Sequence, residues 1–351
     1  MERSRLWIVL VFLVLLLGGC ARSLAPARGW GGLALADDRL VASIVGGKVV
    51  ALNPESGQLL WSFNPEGRDS LLGLYSAPVV RGGDVYLGAY NGLFYNLNGQ
   101  DGSVRWKSPS SGPIVGGAAL EGDILVYGSS DGYLYARDLA QGTQLWKFSI
   151  GEKIWSRPTV VDGVVYVASL NHSLYAIDAR QGQEIWRFRT GGAITAQPLV
   201  YNGTVYIGSF DRRLYAIDTG SGQQRWYFQG GNWFWSSPVV DGERLYVSNL
   251  EGKLYALDVT TGQKVWEFEA GGPIMVPPLV LDDRVVVGTK TGSFYVVKAR
   301  DGLEEWWYPL GSSIQANLAA KGPVVFINGM DKKVRAVNTL NHTLLWSANG
   351  N

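Results

Sequence analysis

Apolar and polar positions alternate along this chain in short runs. One stretch carries the pattern: Ser156-Arg157-Pro158-Thr159-Val160-Val161, then Val164-Val165-Tyr166-Val167-Ala168-Ser169, then Leu174-Tyr175-Ala176-Ile177-Asp178, then Glu184-Ile185-Trp186-Arg187-Phe188. The runs are rich in β-branched and aromatic residues, and their alternation puts one residue set on each face of a sheet. Between them stand Asp162-Gly163, Asn171-His172-Ser173 and Gln181-Gly182, which are tight-turn residues. The reading is four short antiparallel strands in 40 residues. The block then recurs: Trp106, Trp146, Trp186, Trp226, Trp266, Trp306 and Trp346 are each 40 residues apart, and Trp61 precedes them by 45. Four strands at that period describe one propeller blade. The third runs end at Asn53, Asn98, Asp138, Asp178, Asp218, Asp258, Lys298 and Asn338, which again gives eight. The predicted fold is therefore all-β, an eight-bladed β-propeller of four-stranded antiparallel blades over residues 31–351. We name the strands A to D, with A innermost and the first A strand at Gly32 to Ala36. No N-terminal strand completes the last blade, so packing between blades 1 and 8 is expected to close the ring.

A residue type needed in every copy builds the frame, because a lone blade cannot bury both of its faces. The tryptophans are expected to fill the gaps between wedge-shaped blades. Gly57, Gly102, Gly142, Gly182, Gly222, Gly262 and Gly302 each lie four residues before a tryptophan and suit a positive φ. The Asp or Asn earlier in that turn can accept its backbone N–H groups. The last copy has Asn341-His342 in place of glycine, with Asn341 expected to tolerate the left-handed conformation.

Charge is nearly balanced, 31 Lys+Arg against 30 Asp+Glu, which gives no reason to expect nucleic acid as a partner. The single cysteine, Cys20, follows Arg3, Arg5, the 12-residue apolar run Leu6 to Leu17, and Gly18-Gly19. That run is too short to span a bilayer and reads as a signal-peptide core. Small residues before a cysteine resemble the bacterial lipobox, which implies cleavage before Cys20 and its acylation. Residues 1–20 are then a lipoprotein signal peptide and 21–30 a tether. The expected location is extracytoplasmic and membrane-anchored, on the periplasmic side of an outer membrane if the host has one.

The segment Tyr255-Ala256-Leu257-Asp258-Val259-Thr260-Thr261-Gly262-Gln263-Lys264-Val265-Trp266-Glu267-Phe268 resembles the pyrroloquinoline quinone (PQQ)-type propeller repeat. That family contains quinoprotein dehydrogenases and also non-enzymatic outer-membrane assembly lipoproteins of the BamB type, which this chain resembles in length, lipobox and blade count. The enzyme branch implies vicinal cysteines over the quinone, calcium held by carboxylate and amide oxygens, and long covering loops. The chain past Cys20 has no cysteine, and most copies keep to 40 residues. Its carboxylates, such as Asp162, Asp241, Asp282 and Asp283, fall largely in the A–B and C–D turns. His172 and His342 lie in different turns, so neither a catalytic triad nor a metal cluster is predicted. No cofactor, PQQ included, is expected. The expected role is a monomeric, non-enzymatic scaffold that binds protein partners, as in outer-membrane protein assembly. The alternatives are a PQQ-dependent oxidoreductase and a sensor of glycans or small ligands.

Candidate partner-binding residues are sought where the copies differ. At the start of strand A stand Tyr75, Trp155, Arg157, Gln197, Trp233, Trp235, Met275, Gln315 and Asn317. They either form a polar-aromatic binding surface or plug the channel. The B–C turns share that face and carry Arg212, Arg213, Lys253, Lys290, Lys332 and Lys333. With Arg157 that makes seven positive charges against the four of Asp131, Asp211, Glu251 and Asp331. The five extra residues before Trp106 fall in the D–A loop Asn64 to Gly73, where Arg68 and Asp69 precede Leu71, Leu72 and Leu74. That apolar tip is a docking candidate, or else it folds into the channel.

Overall fold

The computed structural model describes residues 29–36, 38–65 and 70–350. Eight sheets of four antiparallel strands follow one another, each in simple chain order. Blade 4 is typical, with strands Thr159–Val161, Val164–Ala168, Ser173–Asp178 and Glu184–Arg189. Neighbouring blades approach most closely through their three- or four-residue A strands, which places those strands at the axis.

Strands B and C are almost entirely buried, because both of their faces meet a neighbouring blade. Tyr166, Leu174 and Ala176 of blade 4 pack with Val205, Ile207 and Ile217 of blade 5 in one seam. Strand D behaves differently. In every blade the C–D register slips next to the tryptophan; in blade 4, Ala176 faces Trp186 while Ile177 faces Glu184. The bulge leaves Ile185 unpaired and exposed on the outer edge and turns Trp186 into the seam.

The indole of one blade lies on the C–D turn of the next. Trp146 Nε1 donates to the Ala179 carbonyl at 2.9 Å, and a Cβ on Gly182 would fall 2.6 Å from the same ring. Gly182 therefore answers two demands, a φ of +68° and an indole against its Cα. In the last blade the glycine position is filled by His342, not by Asn341 as the sequence suggested. His342 takes a φ of +57° and stacks on Trp306 with centroids 4.8 Å apart. The flat imidazole occupies the slab of space that glycine leaves open elsewhere.

Blade 1 is built from residues Leu33–Leu35, Leu40–Ile44, Lys48–Leu52 and Leu59–Phe63, and blade 8 from Ala319–Lys321, Val324–Asn328, Lys333–Asn338 and Thr343–Asn349. Neither borrows a strand, and packing joins them as expected: Leu33, Leu40 and Ala42 meet Phe326, Val334 and Ala336. Side-chain hydrogen bonds add to this seam. Asn317 Nδ2 donates to the Leu33 carbonyl at 2.9 Å while its Oδ1 accepts the Leu33 N–H at 3.0 Å. Asn328 Nδ2 donates to the Ser43 carbonyl at 2.7 Å, and Trp346 Nε1 to that of Pro54 at 3.1 Å.

Candidate functional site: the channel mouth and its rim

The D–A loops carry strand-like alternation into the axis. In Ile154-Trp155-Ser156-Arg157-Pro158, the side chains of Ile154 and Ser156 are fully buried in the blade seam, so those of Trp155 and Arg157 face the channel. Ile154 fits because strand B of the preceding blade ends in Gly128, where a Cβ would lie 2.1 Å from the isoleucine Cγ2. Ser156 Oγ donates to the Ala168 carbonyl at 2.8 Å. Pro158 restricts Arg157 to an extended backbone.

The converging loops enclose a cavity of about 360 Å³ lined by residues from all eight blades. Its walls include Trp30, Tyr75, Trp155, Arg157, Gln197, Trp235, Met275, Gln315 and Asn317, and among the described residues no carboxylate and no cysteine. Trp30 meets Tyr75 edge-on at 4.6 Å. Trp155 Nε1 donates to Ser130 Oγ at 3.2 Å, and Gln197 Nε2 to Thr159 Oγ1 at 3.1 Å. Among the described residues, Arg157 is the sole ionised side chain in the lining. Its Nε donates to the Ala118 carbonyl of blade 3 at 2.8 Å, and no carboxylate pairs with it among the described residues. Surrounding protein desolvates the guanidinium and pulls its pKa below the usual value. Asn317 lines the cavity, but its amide is engaged in closing the ring.

Trp233 departs from the expected position. It does not line the channel; it lies on the rim, 45 % exposed, stacked on Phe210 at 4.7 Å with the rings 9° apart. Trp235 covers the other side of Phe210 at 5.4 Å. Alternation explains the difference, since Phe234 between the two tryptophans fills the seam against Gly208 and the cavity takes only the inner one. Arg212, in the same B–C turn as Phe210, is exposed at a φ of +71°. Arg213 is held to its own sheet, with Nε donating to Gln229 Oε1 at 3.1 Å and the guanidinium 4.5 Å from the Tyr227 centroid.

The turn carboxylates that offset the basic residues are themselves tied down. Asp211 accepts the Tyr215 hydroxyl at 2.6 Å and the Gly191 N–H at 2.7 Å, and Asp131 accepts the Tyr135 hydroxyl at 2.7 Å and the Ser111 N–H at 2.9 Å. Both pin a B–C turn to the D–A loop beside it. Burial and these hydrogen bonds push Tyr135 and Tyr215 up to about 12. Arg212, Lys290 and Lys332 carry no ion pair among the described residues.

Two regions of the expected site resolve differently. Arg68 and Cys20, with the signal and most of the tether, lie outside the described residues. In the inserted loop Leu71 and Leu74 are buried between blades 1 and 2, while Leu72 is 49 % exposed at a φ of +58°. The loop thus gives two of its three leucines to the core. Trp30, assigned to the tether, is part of the ring, because the adjacent Gly31 N–H donates to the Leu74 carbonyl at 2.8 Å.

Comparison with known proteins places this architecture. The model of the family described as outer membrane protein assembly factor BamB matches residues 4–153, 130–269 and 231–351. The chain belongs to this family. Individual likenesses are more distant. BamB of Escherichia coli (strain K12) is 34 % identical over 84 residues, 22 % of this chain and 21 % of that protein. BamB of Salmonella typhimurium is 32 % identical over 83 residues, 22 % of this chain and 21 % of that protein. The alignments thus span about a fifth of these curated relatives' length. Among solved structures, BamB from Moraxella catarrhalis superposes with a TM-score of 0.74 at 18 % identity, covering 87 % of this chain and 92 % of that one. The computationally designed Ika8 protein gives 0.77 at 19 % identity, covering 89 % and 97 %. These likenesses to solved structures define the fold. Among the described residues of this BamB-family chain, no group of three or more His, Cys, Asp or Glu side chains is placed to hold a metal. Sequence reasoning missed Trp30 and Phe210. Phe210 carried a legible signal, since the equivalent positions 170 and 250 hold leucine.

Proposed function

We propose that this protein is a lipid-anchored, extracytoplasmic scaffold that binds protein partners in outer-membrane protein assembly and performs no chemistry. The partner surface is the rim where D–A loops meet B–C turns. The observation that carries this reading is the Trp233–Phe210–Trp235 stack, with Trp233 exposed at its outer end, beside Arg212, which has no ion pair among the described residues. Rigid aromatics and arginine are the side chains that anchor interfaces, and here they project from a frame with little freedom to lose. Trp155, Arg157 and Tyr75 continue the surface inward, and Arg68 is a further contact in this reading. Acylated Cys20 would hold the ring near the lipid surface. Family membership supports the assembly role. Among the described residues the cavity lining offers neither carboxylates nor cysteines, which speaks against a quinone held with calcium.

Co-purification from native membranes tests the reading. The double variant Trp233→Ala/Phe210→Ala should lower recovery of outer-membrane assembly components about 30-fold, as expected for an aromatic hot spot. Unchanged recovery by the folded variant overturns the rim as partner surface. Tight PQQ binding with dye reduction in the presence of calcium overturns the non-enzymatic reading.

A further inference from the structure

Two arginines of the ring, buried Arg137 and half-buried Arg157, use their donors in opposite ways. Arg137, in strand C of blade 3, spends its guanidinium on protein: Nε donates to the Tyr127 hydroxyl at 2.8 Å, Nη1 to the Gly142 carbonyl at 3.2 Å and Nη2 to that of Pro109 at 2.6 Å. It is a structural cation, satisfied on every side. Arg157 has one protein acceptor, Ala118 O at 2.8 Å on Nε, and both Nη groups remain without one among the described residues. These Nη donors face the cavity with no protein acceptor among the described residues and are available to an oxyanion there. The placement of Arg157 is held firmly. A Cβ on Gly116 would fall 2.3 Å from the Ser156 carbonyl oxygen and 2.6 Å from that of Trp155, so the bare backbone of blade 3 lets the start of blade 4 press against it. Pro158 fixes the direction of the chain beyond.

We propose that the central cavity binds a small organic anion, a carboxylate or phosphate group carried on a flat apolar body, with the two Nη groups of Arg157 as its receptor. A planar guanidinium held at Nε presents its remaining donors as a fork that matches either oxyanion bidentately. The aromatic walls Trp30, Tyr75, Trp155 and Trp235 take the flat body, and among the described residues no carboxylate in the lining repels the charge. A volume of about 360 Å³ suits a ligand of small-molecule size. The site shares Trp235 with the rim stack, and Tyr75, Trp155 and Arg157 with the inward part of the proposed partner surface, but its ligand is tested on isolated protein with no partner present.

Calorimetry of the full chain with benzoate, its neutral isostere benzamide, and phenyl phosphate tests the proposal. Benzoate or phenyl phosphate should bind saturably, and the tighter of the two distinguishes a carboxylate source from a phosphate one. Benzamide should bind at least 10-fold more weakly. Arg157→Gln should weaken the anion about 10- to 100-fold, the range of a charge-assisted pair. Arg157→Lys should fall between, since it keeps charge without the fork. Circular dichroism confirms that each variant is folded, and Arg137→Gln should lose stability rather than binding. The proposal is overturned if neither anion binds, if benzamide binds equally, or if folded Arg157→Gln binds the anions unchanged.

Discussion

Trp146 and Gly182 act as one unit, an indole laid flat on a residue without a side chain, repeated around the ring. Gly182→Ala puts a methyl group 2.6 Å from the ring and forces a φ of +68° on alanine. The expected loss is about 2–4 kcal/mol in urea denaturation. The tryptophans are not equivalent. Trp146 donates to Ala179, whereas Trp106 Nε1 is buried without a partner among the described residues. Trp146→Phe should therefore cost about 1 kcal/mol more than Trp106→Phe by the same measurement. Both sites announce themselves in the 40-residue spacing, but the hydrogen bond that separates them does not, because it depends on how closely two blades approach. Arg157 and Arg137 differ for the same reason. Sequence marks each as an arginine in a strand-rich repeat, and only the neighbouring carbonyls decide which one has donors to spare.

At the scale of the turn and strand, the D–A loop and the B–C turn form a clasp through Asp211 and Tyr215. The folded-state pKa of Tyr215 stands above its ordinary 10, at about 12, first through burial and then through Asp211. A raised pKa means that the neutral hydroxyl is favoured in the folded chain. Its contribution is complete below pH 10 and is lost as pH rises toward 12. The melting temperature of the parent should accordingly fall over that interval, and Tyr215→Phe should flatten the decline while lowering stability at pH 8. An equally steep alkaline decline in both proteins counts against the clasp. Strand boundaries were readable from alternation and turn residues. The D-strand bulge was not, since an extra residue facing solvent looks like any other alternation error until the partner strand is known.

The whole ring must close without a strand exchanged between its ends, so its weakest seam should be that between blades 1 and 8. Asn317 spans it with two hydrogen bonds to Leu33. Asn317→Ala strands both backbone groups and should cost about 2–4 kcal/mol. Hydrogen exchange should rise first in Leu33–Leu35 and Ala319–Lys321. Equal protection across all seams would show that apolar packing alone closes the ring. Asn317 was expected at the channel mouth as a binding residue; it lines the cavity there, with its amide hydrogen-bonded to the first blade. That choice arises only when residues 284 apart in sequence meet.

By itself, the sequence determined the blade count, the four-strand unit and the assignment of the spaced tryptophans to the joints, because each depends on local periodicity and on the need of every blade to cover its neighbour. The tertiary structure alone decided what the irregular residues do. It sent Leu71 and Leu74 inward, put Trp233 on the rim with Phe210 between it and Trp235, and left the fork of Arg157 open in the cavity. The physical reason is closure. A residue that departs from the repeat has no local pattern to fix its partner, and its environment is made by blades that meet only when the ring is complete.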